Sequence, residues 1–278
     1  MTGDALYQDI KNYESGELAF WWLGQMGFAL RLNHLTLYLD PYLAANKFRL
    51  IPPLLTAEHL SGCDFIFGSH DHGDHIDKEL WKNVHQLSPK TKFIVPKLIM
   101  AKLSEQLEIG QDNFIGLDED IIFDNGDIRI TAIASAHEFL SPDPESGLHP
   151  ALGYIIECGG YRIYHSGDTC KYEGLESKLQ GAGKIDLMIV PINGRDGRKL
   201  RAGIIGNMDF REAVDLVGMV EPGLGIPSHY DMFKGNTEDP NEFIDYLETK
   251  YPGQKFWVGD HHTQVRISRD GTGGMRVL

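Results

Sequence analysis

The chain has 278 residues and a mass of 31.2 kDa, which is enough for one domain with a sizeable buried core. Its hydrophobic content of 42% and charged content of 24% are typical of globular proteins and exclude a fibrous or disordered chain. The formal net charge of −14 makes binding to nucleic acid unfavourable, because phosphate backbones attract Lys and Arg.

Cysteine content and apolar runs predict the compartment. No apolar run in the sequence approaches the ~20 residues that cross a bilayer, so we expect no membrane association. Cys63, Cys158 and Cys170 are far apart and odd in number, which is not a disulfide framework. The first residues lack the basic and apolar regions of a secretory signal. We therefore expect a cytoplasmic protein.

Short apolar runs in the first third of the chain predict strands. They lie at 18–23, 28–32, 35–39 and 64–68. Helical spacing of apolar residues follows at 78–87 and 97–107, with a predicted strand at 93–96 between the two helices.

The strand pattern returns in the second half of the chain. Strands are predicted at 127–135, 153–157, 161–165, 186–191 and 225–227, helices at 209–220 and 240–249, and closing strands at 256–258 and 264–267. No low-complexity linker interrupts this order, so residues 1–278 are predicted to form a single domain. Two blocks of strands with helices around them fit two packed sheets, and they also fit a generic α+β domain.

A dense group of polar residues follows the strand at 64–68. Residues 70–75 read His-Asp-His-Gly-Asp-His, and Gly73 is expected to let the backbone turn within the group. Imidazole and carboxylate ligands suit Zn²⁺, Mn²⁺ or Fe²⁺. A turn at this place can present ligands to two metals about 3.5–4 Å apart, the usual spacing in two-metal hydrolases. The alternative is a solvated polar loop.

One loop cannot enclose two metals, so further ligands are expected from other strand ends. His137, Asp168 and His229 each follow a short apolar strand and lie beside small residues. Taken singly, each fits a structural role, but their common placement favours metal ligation.

The order His-x-His-x-Asp-His, a lone His, Gly-Asp-Thr and a late His resembles the metallo-β-lactamase superfamily. The resemblance implies an α+β fold, a four-layer αββα sandwich, with one or two divalent metals, Mn²⁺ or Zn²⁺, at one edge between the sheets. It assigns His70, His72 and His137 to the first metal, Asp74, His75 and His229 to the second, and Asp168 to both.

Shorter stretches at 22–28, 137–138, 191–196 and 206–209 resemble the L-ascorbate-6-phosphate lactonase branch of that superfamily. The branch resemblance implies opening of a sugar-acid lactone, a preference for manganese and a homo-oligomer. Gln25 departs from the pattern, because many relatives have His at this position.

Several residues receive expected roles from this scheme. Asp74 is expected to orient a hydroxide and accept its proton, which makes it the catalytic candidate. Asp40, which precedes Pro41, either orients a metal-binding histidine or is an ordinary turn residue. Asn193 and Arg195 begin a basic segment that either contacts a phosphorylated small-molecule substrate or is a solvated loop. The loop 138–149 is expected to line the mouth of the site.

Three functions remain open from the sequence. The first is a lactone or ester hydrolase acting on a phosphorylated sugar acid such as L-ascorbate 6-phosphate. The second is a phosphodiesterase that uses the same metals on a small nucleotide or on nucleic acid. The third is a non-catalytic binding protein on the same fold. The acidic net charge makes a large nucleic acid the least favoured partner.

Overall fold

The computed structural model describes residues 2–119, 121–269 and 275–277, and within them the strands form two sheets. The first sheet contains, from edge to edge, β14 (Met275–Val277), β13 (Val265–Arg269), β1 (Leu18–Gly24), β2 (Gly27–Leu32), β3 (Leu35–Leu39), β4 (Phe65–Phe67), β5 (Lys92–Pro96) and β6 (Phe114–Leu117). β1 to β3 form an antiparallel meander, and β3 to β6 run parallel to one another.

The second sheet is built from one continuous stretch of chain. Its strands are, from edge to edge, β12 (Leu224–Ser228), β11 (Leu187–Pro191), β10 (Tyr161–His165), β9 (Leu152–Cys158), β8 (Ile128–Ala134) and β7 (Ile122–Asp124). β9 is antiparallel to both β8 and β10, and β10, β11 and β12 are parallel. Strands β8, β10, β11 and β12 therefore all end at the same edge of the sheet.

Helices cover the outer faces of the two sheets. They are α1 (Asp4–Lys11), α2 (Ala57–Leu60), α3 (Lys78–Leu87), α4 (Lys97–Leu107), α5 (Leu175–Gly181), α6 (Gly197–Arg201), α7 (Phe210–Val220) and α8 (Pro240–Lys250), with a 3-10 turn at Gln111–Asn113. Apolar side chains of α1, α3 and α4 pack on the first sheet, and those of α5, α7 and α8 join the core of the second.

The burial of β1 shows how the layers are held together. Alternate side chains of a strand point to opposite faces. Phe20 and Trp22 pack in the core between the sheets, whereas Trp21 and Leu23 pack against the helices on the outer face. Both sets are buried, so this strand lies inside the molecule. The result is helices, sheet, sheet, helices, which confirms the predicted αββα class.

Most of the predicted elements are present with bounds shifted by a residue or two, and one is wrong. Residues 256–258 do not form a strand, because the segment makes only an isolated bridge from Phe256 to Gly225 at the edge of β12. The described residues contain no helix that is both long and apolar enough to cross a bilayer.

Candidate metal centre

The histidine-rich loop leaves the first sheet directly after β4. Gly68 is required there, because a Cβ at this position would lie 2.5 Å from Cγ1 of Ile76. Glycine is not required at position 73. Its φ is not positive and a Cβ there would contact no atom within 4 Å, so the expected turn does not depend on glycine. The loop instead folds on itself, with the amide nitrogens of His75 and Ile76 both donating to the carbonyl of His72.

The other predicted ligands come from the second sheet. His137 follows β8, Asp168 follows β10 and His229 follows β12, and these strands end at the edge that faces the histidine-rich loop. Gly167 makes the close approach possible, since a Cβ there would lie 2.6 Å from Cβ of Ser69. The two sheets therefore contribute ligands to one place.

The seven predicted ligands form three overlapping groups. Within each group, the ligand atoms lie within 4.8 Å of one another. The groups are His70, His72 and His137; His70, His75 and Asp168; and Asp74, His75 and His229. Oδ1 of Asp168 lies 3.3 Å from Nε2 of His75, and its Oδ2 lies 3.2 Å from Nε2 of His229. Asp168 thus stands between the groups, where a shared carboxylate would stand.

The donor set fits divalent cations. His70 Nε2, His75 Nε2 and Asp168 Oδ1 are buried and have no hydrogen-bond partner, although buried polar atoms are normally paired. Their convergence is explained if they bind cations. Nitrogen and carboxylate oxygen ligands suit both Mn²⁺ and Zn²⁺, so the donor set does not select between them.

Asp40 orients one of the histidines. Its fully buried carboxylate lies 2.6 Å from Nδ1 of His75 and accepts hydrogen bonds from the amide and the hydroxyl of Ser69 at 2.8 and 2.6 Å. Ser69 Oγ is also 3.0 Å from Nδ1 of His70. Sequence reasoning missed Ser69, whose signal is its position directly before the histidines. These contacts leave Nε2 of both rings facing the ligand groups.

The charges of the site are strongly coupled. Burial opposes ionisation of Asp168, but His229 and His75 outweigh it and hold the pKa of this carboxyl well below its usual range. Burial disfavours the charged form of His75, yet Asp168, Asp74 and Asp40 raise the pKa of that ring well above its ordinary value. Burial lowers the pKa of His70, which keeps its imidazole neutral. Because a histidine binds metal in its neutral form, a cation bound at Nε2 of His75 would displace the proton from that ring.

The structure does not bring Asn193 and Arg195 together with the ligands. The guanidinium of Arg195 makes a two-pronged ion pair with Glu212 at 2.7 and 2.8 Å, at the first turn of α7. Asn193 is fully buried and hydrogen-bonded to Asn207 and Asn236 at 3.1 and 3.0 Å. Both side chains are therefore engaged within the protein, and neither lines the cavity over the ligands.

A cavity of about 720 Å³ opens over the ligands. Its walls come from three segments, 42–48, 202–205 and 233–236, and its lining residues do not include the loop 138–149. The lining residues are Tyr42, Asn46, Phe48, His72, Gly73, Asp74, His137, Asp168, Ala202, Gly203, Ile204, Ile205, His229, Phe233, Lys234 and Asn236. Sequence reasoning missed the three wall segments, which carry no periodic or motif signal.

Two further polar residues of the motifs lie outside the ligand groups. Asp71 forms ion pairs with Lys78 and Lys102 at 2.8 and 2.7 Å. His165 is buried and its Nε2 is 2.9 Å from the carbonyl of Met26. Asp71 thus ties the loop to α3 and α4, and His165 ties β10 to the turn after β1.

Comparisons with known proteins identify the family of the chain. The family model described as the beta-lactamase superfamily domain matches residues 36–230. A UPF0173 metal-dependent hydrolase of Caldivirga maquilingensis is 27% identical over 241 residues, which cover 85% of this chain and 92% of the relative. The UPF0173 protein of Pyrococcus furiosus shows the same identity and coverage.

Solved structures share the fold at low sequence identity. Igni18, a metallo hydrolase of Ignicoccus hospitalis, has a TM-score of 0.69 at 20% identity, covering 90% of this chain and 98% of its own. An isothiocyanate hydrolase from Delia radicum gut bacteria has a TM-score of 0.67 at 17% identity, covering 88% and 98%. The narrower resemblance to the ascorbate-6-phosphate lactonase branch stays a prediction. The chain belongs to the metallo-β-lactamase superfamily, and the relatives that it matches include metal-dependent hydrolases.

Proposed function

We propose that this protein is a metal-dependent hydrolase that opens a lactone or ester bond in a small molecule. The observation that carries the proposal is the set of overlapping ligand groups, joined through Asp168, at the floor of the cavity. His70, His72 and His137 would hold one cation, Asp74, His75 and His229 the other, and Asp168 would contact both.

Two bound divalent cations would supply hydroxide at neutral pH and polarise a substrate carbonyl. Asp74 supports this chemistry from the protein side. Its carboxylate lines the cavity and is partly exposed, while Oδ2 accepts a hydrogen bond from Nε2 of Gln25 at 3.0 Å. From the floor of the cavity this carboxylate can align the attacking water and accept its proton.

The walls of the cavity define the substrate further. Apolar side chains of Tyr42, Phe48, Ile205 and Phe233 face the space above the ligands, and Lys234 carries the one ammonium group among the lining residues. A lactone with an anionic group, such as a phosphorylated sugar-acid lactone, would meet that group at Lys234 rather than at Arg195. A lactone with an apolar arm would pack on the aromatic and aliphatic wall.

A substrate panel tests the proposal. The protein is loaded with Mn²⁺ or Zn²⁺ and assayed on unsubstituted, alkyl-substituted and phosphorylated lactones, on aryl esters and on aryl phosphodiesters. We expect turnover of lactones or esters that disappears after chelation and in Asp168→Ala. Turnover of the phosphodiesters alone would contradict the proposal and assign the same site to phosphodiester hydrolysis.

A further inference from the structure

Gln25 lies in the turn between β1 and β2, and its backbone is fixed from several sides. Its φ is +55°, a left-handed conformation that residues other than glycine rarely adopt. Its carbonyl accepts hydrogen bonds from Nε1 of Trp22 at 3.0 Å, from the amide of His229 at 3.2 Å and from the hydroxyl of Ser228. Its amide donates to Oδ1 of Asp231 at 3.3 Å. These contacts determine where the side chain points.

The side-chain amide of Gln25 ends among the ligand atoms of the second group. It is fully buried, and its Nε2 lies 3.0 Å from Oδ2 of Asp74 and 3.2 Å from Nε2 of His229. Its Oε1 is buried and has no hydrogen-bond partner, which is unusual for a buried amide oxygen. Gln25 is thus strained and fully buried, and its side-chain oxygen is unpaired. Packing alone does not explain this arrangement.

The two distances suit ligation. Two atoms that bind the same cation at about 2.1 Å, with about 90° between them, lie about 3 Å apart. The amide of Gln25 stands at that spacing from both Asp74 and His229. Rotation of the amide by half a turn about its terminal bond exchanges its oxygen and nitrogen, which differ little in size. Oε1 then occupies the position from which Nε2 now contacts the two ligands.

We propose that Gln25 supplies its amide oxygen as an additional ligand to the cation held by Asp74, His75 and His229. An additional neutral oxygen raises the coordination number above the four that zinc commonly takes in proteins. Amide and carboxylate oxygens suit Mn²⁺. Gln25 therefore biases the metal site of Asp74, His75 and His229 (the second site) towards a metal of higher coordination number. The first site, formed by His70, His72 and His137, is not affected. This inference concerns metal loading and does not depend on which bond is hydrolysed.

The test measures metal binding rather than activity. Stepwise binding of Mn²⁺ and of Zn²⁺ is followed by calorimetry and by chelator competition in the wild type, Gln25→Leu and Gln25→Glu. His137→Ala removes a ligand of the first metal site and His229→Ala removes a ligand of the second, so these variants show which binding step belongs to which site. For Gln25→Leu we expect about tenfold or greater weakening of the second Mn²⁺ step, with a smaller loss for Zn²⁺ and an unchanged first step. Gln25→Glu, which keeps a ligating oxygen, retains the second step.

Two results would overturn the proposal. One is Gln25→Leu binding both equivalents of Mn²⁺ as the wild type does. The other is Gln25→Glu losing the second step as Gln25→Leu does, which would show that Gln25 acts by donating a hydrogen bond to Asp74. Gln264→Leu removes a half-buried amide that donates to Asp9 outside the ligand groups, and it is the matched control. Thermal melts of the metal-free variants test folding.

Discussion

Three residues in or beside the ligand groups have a strained backbone. Gln25, Asp40 and His229 have φ values of +55°, +39° and +61°, in the left-handed region that costs a residue with a side chain roughly 1–2 kcal/mol. Such conformations persist where surrounding contacts determine them, and they cluster at functional sites. Each of these residues is buried and hydrogen-bonded within or beside the centre. The strained backbone therefore occurs at residues whose side chains belong to the ligand groups or contact them.

Asp40→Asn tests the contact between Asp40 and His75. Asn tolerates the left-handed conformation and can still accept a hydrogen bond from Ser69, but it brings no negative charge to the His75 ring. We expect metal affinity to fall about 10- to 100-fold, the usual effect of removing a partner of a metal-binding histidine. Chelator competition measures it. Asp64→Asn is the control, because the Asp64 carboxylate accepts a hydrogen bond from the amide of Thr36 and belongs to none of the ligand groups. Equal losses in both variants would contradict the role assigned to Asp40.

The cysteines give a prediction that depends on pH. Cys63, Cys158 and Cys170 are buried, and burial raises the pKa of Cys63 to about 12 and that of Cys158 to about 11. A thiol with a pKa of 11 is a thiolate in about one molecule in a thousand at pH 8, and the thiolate is the reactive form. Dithionitrobenzoate should therefore label the native protein very slowly at pH 8 and all three thiols rapidly in denaturant. A fast-reacting thiol in the folded protein would show that the burial is wrong.

At the scale of elements, the segment after α6 forms part of the cavity wall. Ile205 lines the cavity and is 38% exposed, whereas Leu200 on α6 is 63% exposed and does not line it. Replacing either side chain by serine removes apolar surface at an exposed position, so both variants should fold. Only the substitution of Ile205 should change the wall that an apolar substrate arm contacts.

Ile205→Ser should therefore lower kcat/KM on an alkyl-substituted lactone by about tenfold, the effect of losing roughly one methylene contact in an apolar pocket. The unsubstituted lactone should be affected much less, because it does not reach this wall. Leu200→Ser should leave both substrates unchanged. Steady-state kinetics on the two lactones measures the effect, and an equal loss on both would assign Ile205 a structural role.

The elements that sequence could predict are those with a long or regular pattern. Helices α3 and α4 match their predicted bounds, because their apolar residues repeat at helical spacing over about three turns. The sequence pattern does not predict α1, α2, α5, α6, β6, β7 and β14. These elements have between 3 and 8 residues, and segments so short are stable only where the rest of the fold packs on them. The spacing of apolar residues within a short segment does not indicate that packing.

The difference between a local sequence pattern and packing of the whole fold also explains which site residues could be predicted. His70 to His75 could be predicted because the ligands are adjacent in sequence, and His137, Asp168 and His229 because each follows a strand. Its place after β11 makes Arg195 a candidate for substrate contact or for a solvated loop, and the sequence does not show that Glu212, on the next helix, is placed to bind it. Contacts between loops depend on the whole fold, so the cavity wall could not be predicted.

At the scale of the molecule, the cations would join the two sheets. The histidine-rich loop belongs to the first sheet, whereas His137, Asp168 and His229 belong to the second. A ligand that binds only the folded state stabilises it by about 2.7 kcal/mol at a hundredfold excess over its Kd. Removing metal should therefore lower the melting temperature by about 5–10 °C for a chain of this size.

Calorimetry with and without chelator measures this change, and added Mn²⁺ or Zn²⁺ should restore the original melting temperature. His34→Ala is the matched control. This histidine is exposed in the turn between β2 and β3 and is remote from the ligand groups, so the chelator effect should persist in the variant. An unchanged melting temperature after complete removal of metal from the wild type would show that the cations do not hold the sheets together.

The order of strands also has a consequence for synthesis on the ribosome. β1 lies between β2 and β13, and Phe20 pairs with Val265 near the other end of the chain. Until β13 has been made, β1 keeps an unpaired apolar edge of the kind that recruits other strands. All seven ligands, in contrast, lie between His70 and His229. A nascent chain therefore carries all seven candidate ligands before it can close its first sheet, so metal capture can precede completion of the fold.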